Sequence, residues 1–178
     1  MKLHVESPFP FSALPRVWGW IEPFREKLSN DWSPKTLKEF LAMKSPGWDR
    51  KRTWAVYGDG ELGGLIEFEK LDPWLGTAHF LLKTEFQGRG LAVAAARIAA
   101  SDIFAHEGVG KLTFFPLAGS SAIGSLLIHL GAKREGTLEG HTLCGGKPAD
   151  LWLYGLTKEA FQRNPRNAVS LLVEPIDQ

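Results

Sequence analysis

The run Phe80-Leu-Leu-Lys-Thr-Glu-Phe-Gln87-Gly88-Arg89-Gly90-Leu91-Ala92 carries the most readable chemistry in this chain of 178 residues. An apolar strand breaks into a short glycine turn, and an alanine-rich helix follows at once. Such a junction aims several free backbone N–H groups at one spot, at the positive end of a helix dipole. That spot is an anion site, and most naturally a phosphate site. Gly88 and Gly90 let the main chain approach a ligand closely, and Arg89 adds a cation. A nucleotide-hydrolysing loop would need Lys-Ser/Thr after its last glycine, where Leu91-Ala92 stands. The dinucleotide fingerprint G-x-G-x-x-G fits only in its first half, because Val93 and no third glycine follows Gly90.

Gln87-Gly88-Arg89-Gly90-Leu91-Ala92 resembles, at every fixed position, the pyrophosphate loop of the GNAT acyltransferases, Gln/Arg-x-x-Gly-x-Gly/Ala. Further on, Ser120 to Gly136 is similar to a second landmark of that family. It is closest to the ribosomal-protein N-terminal acetyltransferase (RimJ/RimL-like) branch, and keeps Leu127, Leu130, Gly131, Glu135 and Gly136. Asp150–Phe161 resembles the closing strand and final short helix of the same branch. The resemblance covers about residues 50 to 162, in order and spacing. There are departures: Ser120 replaces an Asn, Ile123 a Ser and Ala132 a Phe. Leu127 stands where many members carry a Tyr that protonates the departing thiolate, and Thr77 where a Glu is common.

The resemblance implies direct acetyl transfer from acetyl-CoA to an amine; separately, no His/Asp/Glu cluster shows metal-ligand spacing, so no metal is expected. The resemblance also implies a cofactor strand whose unpaired backbone at Leu81, Leu82 and Lys83 binds pantetheine and can hold an oxyanion. The pyrophosphate then falls on Gln87, Gly88, Arg89, Gly90, Leu91 and Ala92, with Ser120 beside the cofactor. His79 is the first candidate for the base. It lies two residues past Thr77, hence on one face of the strand with it, and imidazole titrates near neutrality. A histidine simply packed in a strand is the competing reading. His141 is the second candidate, and Glu67 or Glu69 could relay a proton through water. Trp18, Trp20, Phe24 and Trp32 either shape the acceptor wall or fill a core. The branch landmarks point to a protein or peptide α-amine, with a small-molecule amine as alternative. A non-catalytic acyl-CoA-binding partner protein is the rival from another class, and a homodimer is left open.

Composition bounds these readings. A length of 178 residues suits one domain: acceptor-side helices in about residues 10–45, a cofactor-binding core in 50–162, and a tail in 163–178. A formal net charge of +1 gives no global field toward nucleic acid or anionic membrane. The local basic cluster Asp49-Arg-Lys-Arg52 reads as a solvated turn before a strand. Cys144 is the only cysteine, so no internal disulfide and no cysteine cage can form. The start lacks the apolar core of a signal peptide, and no stretch approaches 18 apolar residues, so a cytoplasmic protein is expected.

The elements that must position these residues follow from pattern. Pro15–Leu28 reads as helix broken at Pro23. Ser33 is expected to cap a helix with Pro34 in its first turn and Leu37, Phe40 and Leu41 on one face, ended by Ser45-Pro-Gly47. Strands are expected at Thr53–Tyr57, Leu62–Phe68, Thr77–Lys83, Lys111–Phe115, Thr137–Leu143 and Leu151–Leu156. Helices are expected at Leu91–His106 and Ala122–Leu130. The order predicts an α/β (α+β) fold with a mixed, mostly antiparallel sheet and helices on both faces.

Overall fold

The computed structural model describes residues 2–24, 33–45, 47, 51–88 and 90–167. Seven strands form one sheet: β1 (Leu3–Glu6), β2 (Arg52–Gly58), β3 (Glu61–Lys70), β4 (Leu75–Leu82), β5 (Lys111–Phe114), β6 (Lys133–Cys144) and β7 (Lys147–Thr157). Their spatial order is β1-β2-β3-β4-β5-β7-β6. Every neighbouring pair is antiparallel except β4–β5. The mixed sheet with helices on both faces is as the pattern predicted. The edge strand β1 was not anticipated, although Leu3 and Val5 alternate with His4 and Glu6 at the strand period, half-buried against exposed.

Helices α1 (Leu14–Ile21) and α2 (Leu37–Lys44) cover one face of the sheet. Leu14, Val17 and Trp18 pack there with Phe40, Ala55, Leu62 and Leu65. The first helix gives way to a 3-10 turn, Glu22–Phe24, at the proline expected to break it. The start of α2 departs from expectation, because Thr36 and not Ser33 is its cap. The Thr36 hydroxyl accepts the Glu39 N–H at 3.2 Å, and the Glu39 carboxylate accepts the Lys35 N–H at 2.7 Å. That Thr-x-x-Glu pair serves two helix-end donors at once, which a serine followed by proline would not do here. Leu37, expected on the apolar face, is exposed, while Phe40 is buried.

On the other face lie α3 (Leu91–His106) and α4 (Ser121–Leu130), with a short α5 (Lys158–Arg163) after the last strand. Ala95, Ala96, Ala99, Ala100, Ile103 and Phe104 of α3 meet Trp54, Val56, Ile66 and Phe68 of the sheet. Alanine at these positions lets the helix backbone approach the strands closely, which holds its N-terminus against the end of β4. The C-terminus of α4 is closed by Gly131 in the left-handed region (φ 99°), and Ala132 N–H donates back to Leu127 O at 3.0 Å. Asn167, buried, donates to Leu130 O and Phe161 O and accepts from Arg97 Nε. That one amide ties α3, α4 and α5 together. Of the basic cluster before β2, Arg52 is engaged by Asp102 and Glu107, whereas residues 49 and 50 lie outside the described residues.

Candidate active site

The parallel pair β4–β5 is short. Its register runs Leu75↔Lys111, Gly76↔Leu112 and Thr77↔Thr113, and stops there. Two side chains pin the last rung, Thr77 Oγ1 donating to Thr113 O at 2.9 Å and Thr113 Oγ1 to Gly76 O at 3.3 Å. Past the pins β4 continues to Leu82 along β3, while β5 ends at Phe114 and turns away. A wedge-shaped cleft opens between the two strands, with the Phe80 and Phe114 rings stacked at 6.2 Å on its α3 side. Thr77, the position expected to be notable for a missing carboxylate, is thus the buried hinge of the split.

Which backbone groups face this cleft follows from the antiparallel alternation. Lys83 N–H donates to Gly63 O at 2.8 Å, so Leu81 and His79 also turn their main-chain groups toward β3. The N–H and C=O groups of Ala78, Phe80 and Leu82 then face the open side. Gln87 Nε2 donates to Leu82 O at 3.3 Å, as that geometry requires. Of the stretch Leu81–Lys83, Leu82 is the residue that offers its backbone to the cleft. Lys83 directs its ammonium to Glu61 and Glu85.

At the top of the cleft Gln87 and Gly88 lead through residue 89, outside the described residues, to Gly90. Gly88 (φ 73°) and Gly90 (φ 75°) both adopt the left-handed region, and nothing lies within 4 Å of where either would carry a Cβ. Gly90 is the N-cap of α3 and lends no side chain to the helix end. Ala94 is the first residue whose N–H reaches back to it, at 3.0 Å. The N–H groups of Leu91, Ala92 and Val93 precede the first intrahelical bond and open outward over this uncrowded loop. Donors, dipole and space therefore fit a pyrophosphate. Ser120, half-buried, stands at the N-cap position of α4 with no side-chain capping hydrogen bond, at the same end of the sheet and on the same face as the start of α3.

His79 points to the opposite face, toward α2. It is exposed, yet protein crowds it enough that desolvation lowers its pKa below 6.5. Glu67 pulls the other way and Lys44 reinforces the lowering. The ring is therefore reachable and neutral at pH 7. Directly across from it on β3 stands Glu67, 4 % exposed and paired with Lys44 Nζ from the end of α2. Glu69, on the same face, is exposed. His141 is exposed on β6, with β5 and β7 between that strand and β4, so it does not join His79. Trp18 is a core residue, 5.6 Å from the Phe40 ring, and Trp20 is half-buried beside it. Trp32 lies outside the described residues.

The downstream landmarks prove structural in origin. Leu127 and Leu130 are fully buried, Gly131 closes α4, and Glu135 pairs with Lys111 at 2.7 Å. Tyr154 of β7, which sequence reasoning passed over, pairs with Phe114 one residue beyond the last β4–β5 rung. Its hydroxyl lies 2.9 Å from where a Cβ on Gly124 would sit, so the glycine makes room for it at the first turn of α4. Its hydroxyl, with the indole N–H of Trp152 as the other polar tip in Leu151-Trp-Leu-Tyr154-Gly-Leu156, was the available signal.

A sequence model of the family described as "Acetyltransferase (GNAT) domain" matches residues 4–133. That match takes in the N-terminal segment, beyond the span of 50–162 read from motifs. No curated protein matches the sequence. Among solved structures, spermidine N-acetyltransferase from Vibrio cholerae in complex with CoA and spermine superposes with a TM-score of 0.76 at 15% identity. It covers 90% of this chain and 98% of its own. RimJ from Mycobacterium smegmatis in complex with CoA-disulfide also gives 0.76, at 14% identity, over 92% of this chain and 86% of its own. The ribosomal-protein-S5-alanine acetyltransferase of Vibrio fischeri gives 0.73 at 14% identity, over 87% and 92%. Cleft, glycine loop and sheet order thus coincide with a sequence match over more than half the chain, and the protein belongs to the GNAT family of acetyl-CoA-dependent N-acetyltransferases.

Proposed function

We propose that this protein acetylates the α-amine of a protein or peptide, with His79 as the base. The observation that carries the reading is a reachable imidazole held neutral beside the β4–β5 split. Acetyl-CoA would lie with its pyrophosphate on Gln87, Gly88, Arg89, Gly90, Leu91 and Ala92. Its pantetheine would run along the outward groups of Ala78, Phe80 and Leu82, with Ser120 alongside; Leu81 and Lys83 keep that stretch paired to β3. The acceptor nitrogen attacks the thioester carbonyl carbon, and His79 takes the proton it sheds. A backbone N–H in the split steadies the oxyanion. As the C–S bond breaks, the thiolate takes a proton, for which Tyr154 is our candidate donor.

Proton energetics favour an α-amine. Moving a proton from an α-ammonium (pKa ~7.7–8.0) to an imidazole below 6.5 climbs at least ~1.2–1.5 units, about 2 kcal/mol. From a lysine-type or polyamine ammonium near ~10.4 the climb is about 4 units, or ~5 kcal/mol. A small-molecule amine is the second reading, because the spermidine enzyme superposes as well as RimJ does. The test is thiol release from acetyl-CoA with peptides bearing a free or a blocked N-terminus, beside spermidine and lysine. Turnover only with free peptide N-termini is expected. Turnover with spermidine alone would move the acceptor to small molecules, and none with any amine would favour a binding protein.

A further inference from the structure

The alternation that turns Lys83 toward Gly63 makes Glu67 and His79 a hydrogen-bonded cross-strand pair, with Cα atoms about 5.5 Å apart and side chains on one face. Glu67 is fixed by one oxygen only. Lys44 Nζ, itself 12 % exposed, bonds Oε2. Oε1 is the sole buried side-chain polar atom without a hydrogen-bond partner among the described residues. An ionised carboxylate accepts at both oxygens, and leaving one buried and unserved is costly. A buried acceptor left unserved calls for a physical account, and a donor that arrives in another state of the protein is one. The neighbouring side chain that gains an N–H donor during the proposed reaction is His79, because its imidazole becomes imidazolium when it takes the acceptor's proton.

We propose that Glu67 is a positioning residue for His79: Oε1 receives the imidazolium N–H formed as the acceptor loses its proton, while Lys44 holds the carboxylate through Oε2. This inference rests on the acetyl-transfer reading above. The proton moves from acceptor nitrogen to imidazole and no further, so no additional reactant is needed. The charged groups acting on His79 are Glu67 and Glu69 from β3, Lys44 from α2, and Lys51 just before β2. Lys44 does two jobs with one ammonium. It neutralises Glu67 in the resting protein, which keeps the base unprotonated, and it leaves Oε1 for the charge that appears during turnover. Because Lys44 is the last residue of α2, the acceptor-side helix is coupled to the base through a single ion pair.

The experiment is an NMR titration of the His79 ring in the full chain, for wild type, Glu67→Gln and Lys44→Met, run beside the pH dependence of kcat/KM. Glu67→Gln should lower the His79 pKa and Lys44→Met should raise it, each by about half a unit or more. The acid limb of kcat/KM should move with each. Glu67→Gln should also cut kcat about tenfold or more with the KM for acetyl-CoA unchanged. An unmoved His79 titration in both variants overturns the pairing. A titration that moves while kcat of Glu67→Gln stays at the wild-type value overturns the positioning role. The titration needs no turnover. Absence of acetyl transfer in wild type with the expected NMR shifts would therefore sink the enzymatic reading and leave the Glu67–His79 contact standing.

Discussion

His79 has to be open to an amine and neutral at pH 7 at the same time, demands that usually conflict because exposure restores the ordinary pKa. Here the residue stays exposed while desolvation by the surrounding protein outweighs the pull of Glu67. Replacing His79 with Ala should lower kcat by about 10²–10⁴-fold and leave acetyl-CoA affinity within about twofold, measured by steady-state kinetics beside calorimetry. The wild-type profile should lose activity as pH falls through a value below 6.5, since the base must be unprotonated, and that limb should vanish in the variant. Stability carries the same sign. The folded pKa lies below the unfolded one, so the contribution from neutral His79 is complete above 6.5 and is lost as pH falls through the folded pKa. Tyr154→Phe tests the other proton. It should slow turnover about tenfold with no change in CoA binding, and a wild-type rate would assign the thiolate's proton to solvent.

At the scale of elements, the β4-loop-α3 unit carries the cofactor proposal and the Asn167 knot holds the helices behind it. Gly90 sits at φ 75° in open space, so a larger residue meets no neighbour and is opposed only by its own backbone. Gly90→Val should cost about 1–3 kcal/mol of strain or relieve it by moving the loop. Acetyl-CoA affinity should fall at least tenfold while circular dichroism stays native. Unchanged affinity would remove the phosphate from this loop. Asn167→Ala strips partners from Leu130 O, Phe161 O and Arg97 Nε together, and should destabilise by about 2–3 kcal/mol in a denaturant melt. The strand-turn-helix unit was legible because glycine, apolar run and alanine helix each have one local meaning. The Thr36 cap was written as Thr-x-x-Glu and lost to the nearby Ser-Pro, since two N-terminal signals three residues apart compete and packing of Phe40 decides.

For the whole molecule, the periodicities specified which segments are strands and helices, but pairing is not local. Nothing in Thr77 or Thr113 alone says that they cross-bond at the point where two parallel strands part. Nor does Lys44, an ordinary helix-end lysine by sequence, announce that it reaches Glu67 some twenty residues on. The base candidate could be named from its strand, whereas its environment needed three elements brought together. The same distance separates the family, which the sequence match shows, from the acceptor, which the proposal assigns through His79. Everything in that proposal depends on acetyl-CoA occupying the split. The most direct test is a melting curve of the protein with acetyl-CoA, beside CoA and NAD. Ligand at about 100 times its Kd adds roughly 2.7 kcal/mol, a rise of roughly 5–10 °C for a chain of this size. A rise with acetyl-CoA and CoA but not NAD is the expected result. No shift at millimolar acetyl-CoA would contradict the account, reducing the glycine loop to a connection between a strand and a helix.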